Sequence, residues 1–221
     1  PELHLYTAAT MNGYKPVIFL EEAGLPYDHT PIDFGKREQK AEAYTRLNPN
    51  GRIPTLLDRA AGEFVVFESG AILWYLAART GRFLPDGMQA RSEALQWLMF
   101  QMAGVGPMLG QAMFFKRIAA PNGHEDLYAI ERYTEESRRL LAVLDRRLAH
   151  RDYLLDLGYS IVDMATYPWA RAWPWAQVDI GGLNNLAAWL DRVGSRPAVQ
   201  RALRIPKAVP AFWATSAEDV S

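Results

Sequence analysis

The chain has 221 residues, 49% of them apolar, with a formal net charge of −1 at pH 7; that length allows one or two domains with a sizeable core. Near-neutral charge, with arginines scattered beside Glu and Asp, excludes nucleic-acid binding driven by bulk charge. Cysteine is absent, which excludes a disulfide framework, a Cys-ligated zinc and a protein thiol nucleophile.

The first third mixes strand and helix signals. Leu3 to Thr7 reads as a short strand, Leu3 and Leu5 alternating with His4 and Tyr6. After a loop of small residues through Gly13, Tyr14 to Ala23 reads as a helix that Gly24 and Pro26 stop. Tyr27 to Asp33 is a second strand. The charged stretch Lys36 to Lys40 leads into a helix through Tyr44, and Asn48-Pro49-Asn50-Gly51 is a turn cluster. Ile53 to Asp58 and Phe64 to Glu68 read as two strands joined through Gly62. Ser69 is then expected to cap a helix over 70–79, which Gly81 ends. The order βαβα followed by ββα, with a right-handed crossover in the first half, is that of a thioredoxin-like α/β domain.

From about Gln89 the strand signals vanish. Residues 90–115 carry Leu95, Leu98, Met99 and Met102 at helical spacing, and Pro107 predicts a kink or local unwinding. Leu127 to Ala149 is a long amphipathic helix with Ile130, Tyr133, Leu140, Leu144 and Leu148 on one face. Ser160-Ile161-Val162-Asp163 is a capping-box signal for a third helix, and Leu183 to Val193 makes a fourth. Met99, Met102, Met108 and Met113 with Phe114 and Phe115 could line a second-substrate pocket, but such a set is more often core or dimer contact, and most of it reads as core. The division expected is 1–85, a thioredoxin-like domain; 88–205, all-helical; and a tail, 206–221. The tail carries Phe212 and Trp213 and is read either as a lid or as a segment packed elsewhere.

His4, His29, His124 and His150 form no i,i+4 pair, so no metal site is expected. Apolar runs fall short of a bilayer span and no basic-then-apolar segment opens the sequence. The expectation is a cytoplasmic protein with neither membrane nor nucleic acid as partner.

Two short strings carry chemistry. In Arg52-Ile53-Pro54-Thr55, a cis bond before Pro54 would turn the Ile53 backbone outward to pair with an extended peptide; a trans proline opening a strand is the plainer alternative. In Phe67-Glu68-Ser69-Gly70-Ala71-Ile72, a strand runs into a helix whose first-turn amides and dipole suit a carboxylate. Ser69 can join those amides and Glu68 can hold an ammonium, which suits the zwitterionic end of an amino acid. An ordinary cap beside an exposed acid is the alternative.

The two strings together, fifteen residues apart, resemble the glutathione transferase superfamily, as does Ser160-Ile161-Val162-Asp163-Met164-Ala165. The resemblance spans residues 2–200. Thr10-Met11-Asn12-Gly13-Tyr14-Lys15, Phe19 to Leu25, Gln39, Leu95 to Leu98, Gly106 to Gln111 and Ala129 to Tyr133 are similar to the bacterial nu class, glutathione-dependent disulfide-bond oxidoreductases. The resemblance implies the glutathione transferase fold and a homodimer whose site holds two glutathiones or oxidised glutathione.

Residue by residue, it implies that Thr10 and Asn12 sit beside the glutathione sulfur as catalytic groups. Gln39 would contact the peptide, and Ile53, ahead of Pro54, would pair with the cysteinyl backbone. Glu68 and Ser69 would hold the γ-glutamyl end. Lys15 and Arg52 would lie near glycyl carboxylates, and Arg132 would reach across the dimer, although Glu131 and Glu136 offer it ordinary surface pairing. A glutathione thiolate, steadied by donors from Thr10, Asn12 and the head of the first helix, would attack a disulfide. Attack on an electrophilic small molecule, as in conjugation, is the alternative chemistry, and a non-catalytic glutathione-binding regulatory protein is the alternative of another class.

Overall fold

The computed structural model describes residues 1–207; Phe212 and Trp213, and with them the lid expectation, lie outside the described residues. By contacts the described residues divide into two units: Pro1–Thr80 together with residues 197–207, and Gly81–Arg196.

In the first unit Leu3 and Leu5 are buried on one side of β1 (Leu3–Thr7), as the alternation predicts. The helix α1 (Met11–Ala23) follows, then β2 (Tyr27–Pro31), a short 3-10 turn at Glu38–Lys40, α2 (Glu42–Thr45), β3 (Thr55–Asp58), β4 (Phe64–Phe67) and α3 (Ser69–Thr80). The sheet order is β2-β1-β3-β4, with β1 parallel to β2 and the other pairs antiparallel. This is the thioredoxin-like arrangement expected of the first third.

Helix α1 starts three residues earlier than predicted. Thr10, in extended backbone, accepts a hydrogen bond at its side chain from the Gly13 N–H at 3.0 Å, and an N-cap of this kind outweighs the small residues behind it. The helix ends at Gly24 in the left-handed region, φ 63°, as the sequence indicated. A six-residue helix that the sequence reading missed, α9 (Pro197–Ala202), packs against α1 and is tied to it by Arg201 Nε donating to Glu21 at 2.9 Å. It therefore clusters with the first unit, although sequence position would group it with the helices before it.

The second unit is all helical: α4 (Met88–Phe100), α5 (Gly106–Phe114), α6 (Leu127–Arg147), α7 (Ile161–Ala170) and α8 (Asn184–Gly194). The unwinding expected at Pro107 takes the form of a π-helical turn, Gln101–Val105, immediately before it. A wider turn accommodates the proline ring and its missing N–H without ending the helix. The run from Met88 to Asn122 is 35 residues long, and by length and composition alone could cross a membrane; here it packs against α6 and α7.

The methionine set is not core. Leu98, Val105, Leu109 and Ala112 are among the buried residues of this run, while Met99 is 49% and Phe114 45% exposed; Met102, Met108, Met113 and Phe115 are half-buried. Helical spacing permits two apolar stripes here, and the protein's own chain covers only one. On α6 and its C-terminal cap, by contrast, Leu140, Leu144 and Leu148 are buried as expected, while Ile130 and Tyr133 of the same face are half-buried.

The capping box at Ser160 forms as written. Ser160 Oγ accepts from the Val162 N–H, and the Asp163 carboxylate accepts from the Ser160 N–H.

Candidate functional site

The sheet register brings three connections to one end of the sheet. Tyr6 faces Thr55 across β1 and β3, and Thr55 faces Phe67 across β3 and β4. The β1–α1 connection with Thr10 and Asn12, the Ile53-Pro54 entry to β3, and the β4–α3 junction at Glu68-Ser69 therefore all leave that end. Residues far apart in sequence converge because antiparallel pairing alternates strand direction.

At the β1–α1 connection, Thr10 and Asn12 are half-buried, Asn12 within the first turn of α1. That turn holds no acidic residue, so nothing on α1 itself offsets the positive end of its dipole. Thr10 Oγ1 serves as acceptor for the Gly13 N–H, a role that leaves its own O–H available as a donor. Gly13 lies tight against the end of β1 and the connection that follows it: a Cβ there would lie 1.9 Å from the Ala8 carbonyl oxygen and 2.7 Å from Thr7 Oγ1.

The Ile53–Pro54 bond is cis, as expected from the string and the family resemblance together; the plainer trans alternative, which the string alone favoured, does not hold. Ile53 lies outside the ladder, which begins at Thr55. Sequence reasoning missed the brace beneath this segment. Tyr44 Oη donates to the Arg52 carbonyl at 2.7 Å and lies 2.9 Å from Thr55 Oγ1. Asn48 Nδ2 donates to the same carbonyl at 2.7 Å. The Asn-Pro-Asn-Gly cluster signalled a turn but not what it clasps. Gly51, at φ 61°, lets the Gln39 segment close on it, since a Cβ there would stand 2.9 Å from the Gln39 carbonyl oxygen. Gln39 thereby comes beside the Arg52-Ile53 entry, and its Oε1 is buried with no hydrogen-bond partner among the described residues. Arg52 itself is exposed.

At the third connection the structure corrects the expected cap. Ser69 is the first residue of α3, and the Glu68 carbonyl already accepts from the Ile72 N–H at 2.9 Å. Glu68 takes up the turn in the left-handed region at φ 71°. A non-glycine residue held there is uncommon, and such strain concentrates at ligand sites. Glu68 is exposed and Ser69 nearly buried.

Lys15 differs most from expectation. It stands on no open surface where a glycyl carboxylate would be met; it is 1% exposed, and its Nζ donates to Ser69 Oγ at 3.1 Å. Burial holds its pKa down to about 7, with Glu68 pulling the other way.

Arg132 lies in the second unit, exposed on α6, beside a groove of about 650 Å³ that Met108, Tyr128, Tyr133 and Glu135 also line. Of its two expected surface partners, Glu136 accepts twice from Arg139, both at 2.7 Å, and the Arg132 charge also helps hold the Glu136 carboxyl below its ordinary value. Among the described residues no ion pair holds Arg132, and no group of three or more metal-ligating side chains occurs.

Comparison with known proteins agrees with this geometry. Residues 1–78 match the glutathione S-transferase N-terminal domain and residues 106–197 the C-terminal domain. The disulfide-bond oxidoreductase YfcG of Escherichia coli is 42% identical over 205 residues, covering 91% of this chain and 94% of that protein. A glutathione transferase structure from Burkholderia graminis, with two glutathione molecules bound per subunit, superposes with a TM-score of 0.87 at 42% identity, covering 93% of this chain and 89% of that one. One from Pseudomonas putida, with one glutathione disulfide bound per subunit, gives 0.87 at 40% identity, covering 93% of each.

Proposed function

The chain belongs to the glutathione S-transferase family, and on that premise we propose that it is a glutathione-dependent disulfide-bond oxidoreductase. The likeness to a disulfide-bond oxidoreductase at 42% identity carries the choice of chemistry, and a site with an anion-friendly helix head in a sequence with no cysteine tells which thiol is used. The reactive sulfur is therefore that of glutathione. A glutathione thiolate attacks one sulfur of a disulfide, forming a mixed disulfide and releasing a thiolate. A second glutathione thiolate attacks the mixed disulfide, giving glutathione disulfide and the second thiol. Overall, two thiols are oxidised and one disulfide is reduced.

Free thiols have a pKa near 8.5, so the site must favour the anion. The Thr10 hydroxyl, the Asn12 side chain and the head of α1 are the groups suited to that task. Gln39, with its unsatisfied oxygen, would accept from a glutathione amide, and Ile53 would pair with the cysteinyl backbone. Glu68 and Ser69 would hold the γ-glutamyl ammonium and carboxylate. Arg52 is left as the basic group for the glycyl end.

A homodimer fits the exposed apolar side chains of the helical unit, among them Met99, Phe114, Leu127 and Tyr128, and Arg132 would reach the partner's glutathione. Sedimentation should show a dimer, and Arg132→Ala should raise KM for glutathione about tenfold, the loss of one charge-assisted contact; an unchanged KM would remove Arg132 from the site. Glutathione dependence points to the cytoplasm.

Asn12→Ala tests the assignment of the sulfur end. Disulfide-reductase kcat should fall by about 10–100-fold, less than a comparable oxyanion donor gives because sulfur is a weak acceptor. Glutathione affinity should change little, since Glu68, Ser69 and Ile53 hold the peptide in ground and transition states alike. Weak binding with normal saturated turnover would make Asn12 a binding residue. Faster turnover of a chloronitroaromatic electrophile than of a model disulfide would favour conjugation instead.

A further inference from the structure

The amide that joins Arg52 to Ile53 is held on one side and open on the other. Its carbonyl oxygen accepts from Tyr44 Oη and from Asn48 Nδ2, both at 2.7 Å. Its N–H, on half-buried Ile53, makes no hydrogen bond among the described residues, and neither does the Ile53 carbonyl. A backbone donor and acceptor left open beside the buried, unsatisfied Gln39 Oε1 point to a ligand. Resting on the glutathione reading of this segment, we propose that Tyr44 and Asn48 are positioning residues: they fix the plane of the Arg52–Ile53 amide and so aim the Ile53 N–H at the cysteinyl carbonyl of glutathione.

The donor sense of every bond in this clasp is determined. A carbonyl only accepts, so the single hydrogen of the Tyr44 phenol goes to the Arg52 oxygen. Thr55 Oγ1, 2.9 Å from Tyr44 Oη, then donates to it. The Asn48 amide is oriented by its own oxygen, which accepts from the Asn50 N–H at 3.0 Å. Its two hydrogens are left for the Arg52 carbonyl and for Thr55 Oγ1, the latter at 3.2 Å. Every hydrogen of the three side-chain groups is used, and both lone pairs of the Arg52 oxygen are taken. Tyr44 is 5%, Asn48 2% and Thr55 0% exposed, so water does not compete. Burial also raises the Tyr44 pKa, and the phenol keeps its proton.

The Arg52–Ile53 peptide is trans and planar, so its N–H points opposite its C=O. With the oxygen pinned to the buried clasp, the N–H faces away from it, and two hydrogen bonds resist any rotation of the plane. A ligand carbonyl therefore meets a donor already in place, and the segment is ordered by folding rather than by binding.

The test compares S-methylglutathione with its analogue in which the cysteinyl carbonyl is a thiocarbonyl, a poorer acceptor. The parent should bind the analogue about fivefold more weakly, within the range of one neutral hydrogen bond. Tyr44→Phe keeps the ring that meets Tyr6 edge-on. It should bind S-methylglutathione about fivefold more weakly than the parent does, and should distinguish the two ligands by less than about twofold. Asn48→Ala should behave alike. In turnover, the loss in either variant should fall on KM for glutathione and not on kcat. A clasp that only stabilised the fold would weaken both ligands equally and leave their ratio as in the parent.

Discrimination by both variants equal to the parent's overturns the proposal and leaves the Ile53 reading in place. If the parent binds both ligands alike, the pairing of Ile53 with the cysteinyl backbone falls and the proposal falls with it. Should neither variant fold, the parent decides. Hydrogen exchange at the Ile53 amide should slow about tenfold with saturating S-methylglutathione, and unchanged exchange overturns the proposal.

Discussion

Asp163→Ala is expected to destabilise the protein by about 3–5 kcal/mol, with chemical denaturation as the measurement. The Asp163 carboxylate is fully buried and accepts from the Leu154 N–H, the Ser160 N–H and the Ser160 hydroxyl, each at 3.0 Å, and from Trp189 Nε1 at 2.9 Å. Alanine leaves three buried N–H donors without an acceptor, at about 1–3 kcal/mol each before relaxation. It also removes the capping box of α7 and leaves a void beside Trp189. A loss below about 1 kcal/mol would mean that water enters and satisfies the donors.

The same carboxyl predicts a pH dependence. Burial pushes Asp163 up to about 6, and the four donors only partly oppose the shift. A folded-state pKa above the unfolded value, near 3.9, means that the folded form binds the proton more tightly. The stability contribution is complete below about pH 4 and is lost as pH rises through about 6. Asp163→Asn, which cannot titrate, should flatten that part of the stability curve.

Gly13→Ala is expected to destabilise by about 3 kcal/mol or more, although glycine to alanine inside a helix ordinarily gains about 1 kcal/mol. The sign inverts because the new Cβ would lie 1.9 Å from the Ala8 carbonyl oxygen and 2.7 Å from Thr7 Oγ1. The first of these is backbone, so relief requires α1 to move off β1. That motion breaks the Thr10 cap and displaces Asn12, so turnover should collapse along with stability. Gly104→Ala is the control. Its Cβ would meet Leu140 at 3.4 Å, an ordinary contact, and the change should stay within about 1 kcal/mol. Equal effects at the two positions would refute the steric account.

What the sequence determined by itself lies within a few residues of chain. The left-handed stop at Gly24, the box joining Ser160 to Asp163, the disturbance ahead of Pro107 and the alternation of β1 are local exchanges between side chain and backbone. Their outcome does not depend on distant contacts. The Ile53-Pro54 and Glu68-Ser69 strings were legible for the same reason, and their spacing pointed to the family. Boundaries shifted where two local signals competed, as at the head of α1, where the Thr10 cap prevailed over a loop of small residues.

Burial, and every role that depends on it, was decided by tertiary structure. Nothing around Lys15 in sequence marks it as a core residue; it is buried because Ser69, fifty-four positions away, packs onto α1. The apolar pattern of α4 and α5 permitted two stripes, and only packing selected Leu98, Val105 and Leu109 over Met99 and Phe114. Short α9 has too few residues for a periodic signal, and it is defined by its contact with α1. Glu68 takes its left-handed turn because β4 and α3 are each fixed by other partners, leaving the junction to absorb the change of direction. Local propensity is carried by the chain itself, whereas desolvation is a property of whatever the rest of the fold brings alongside.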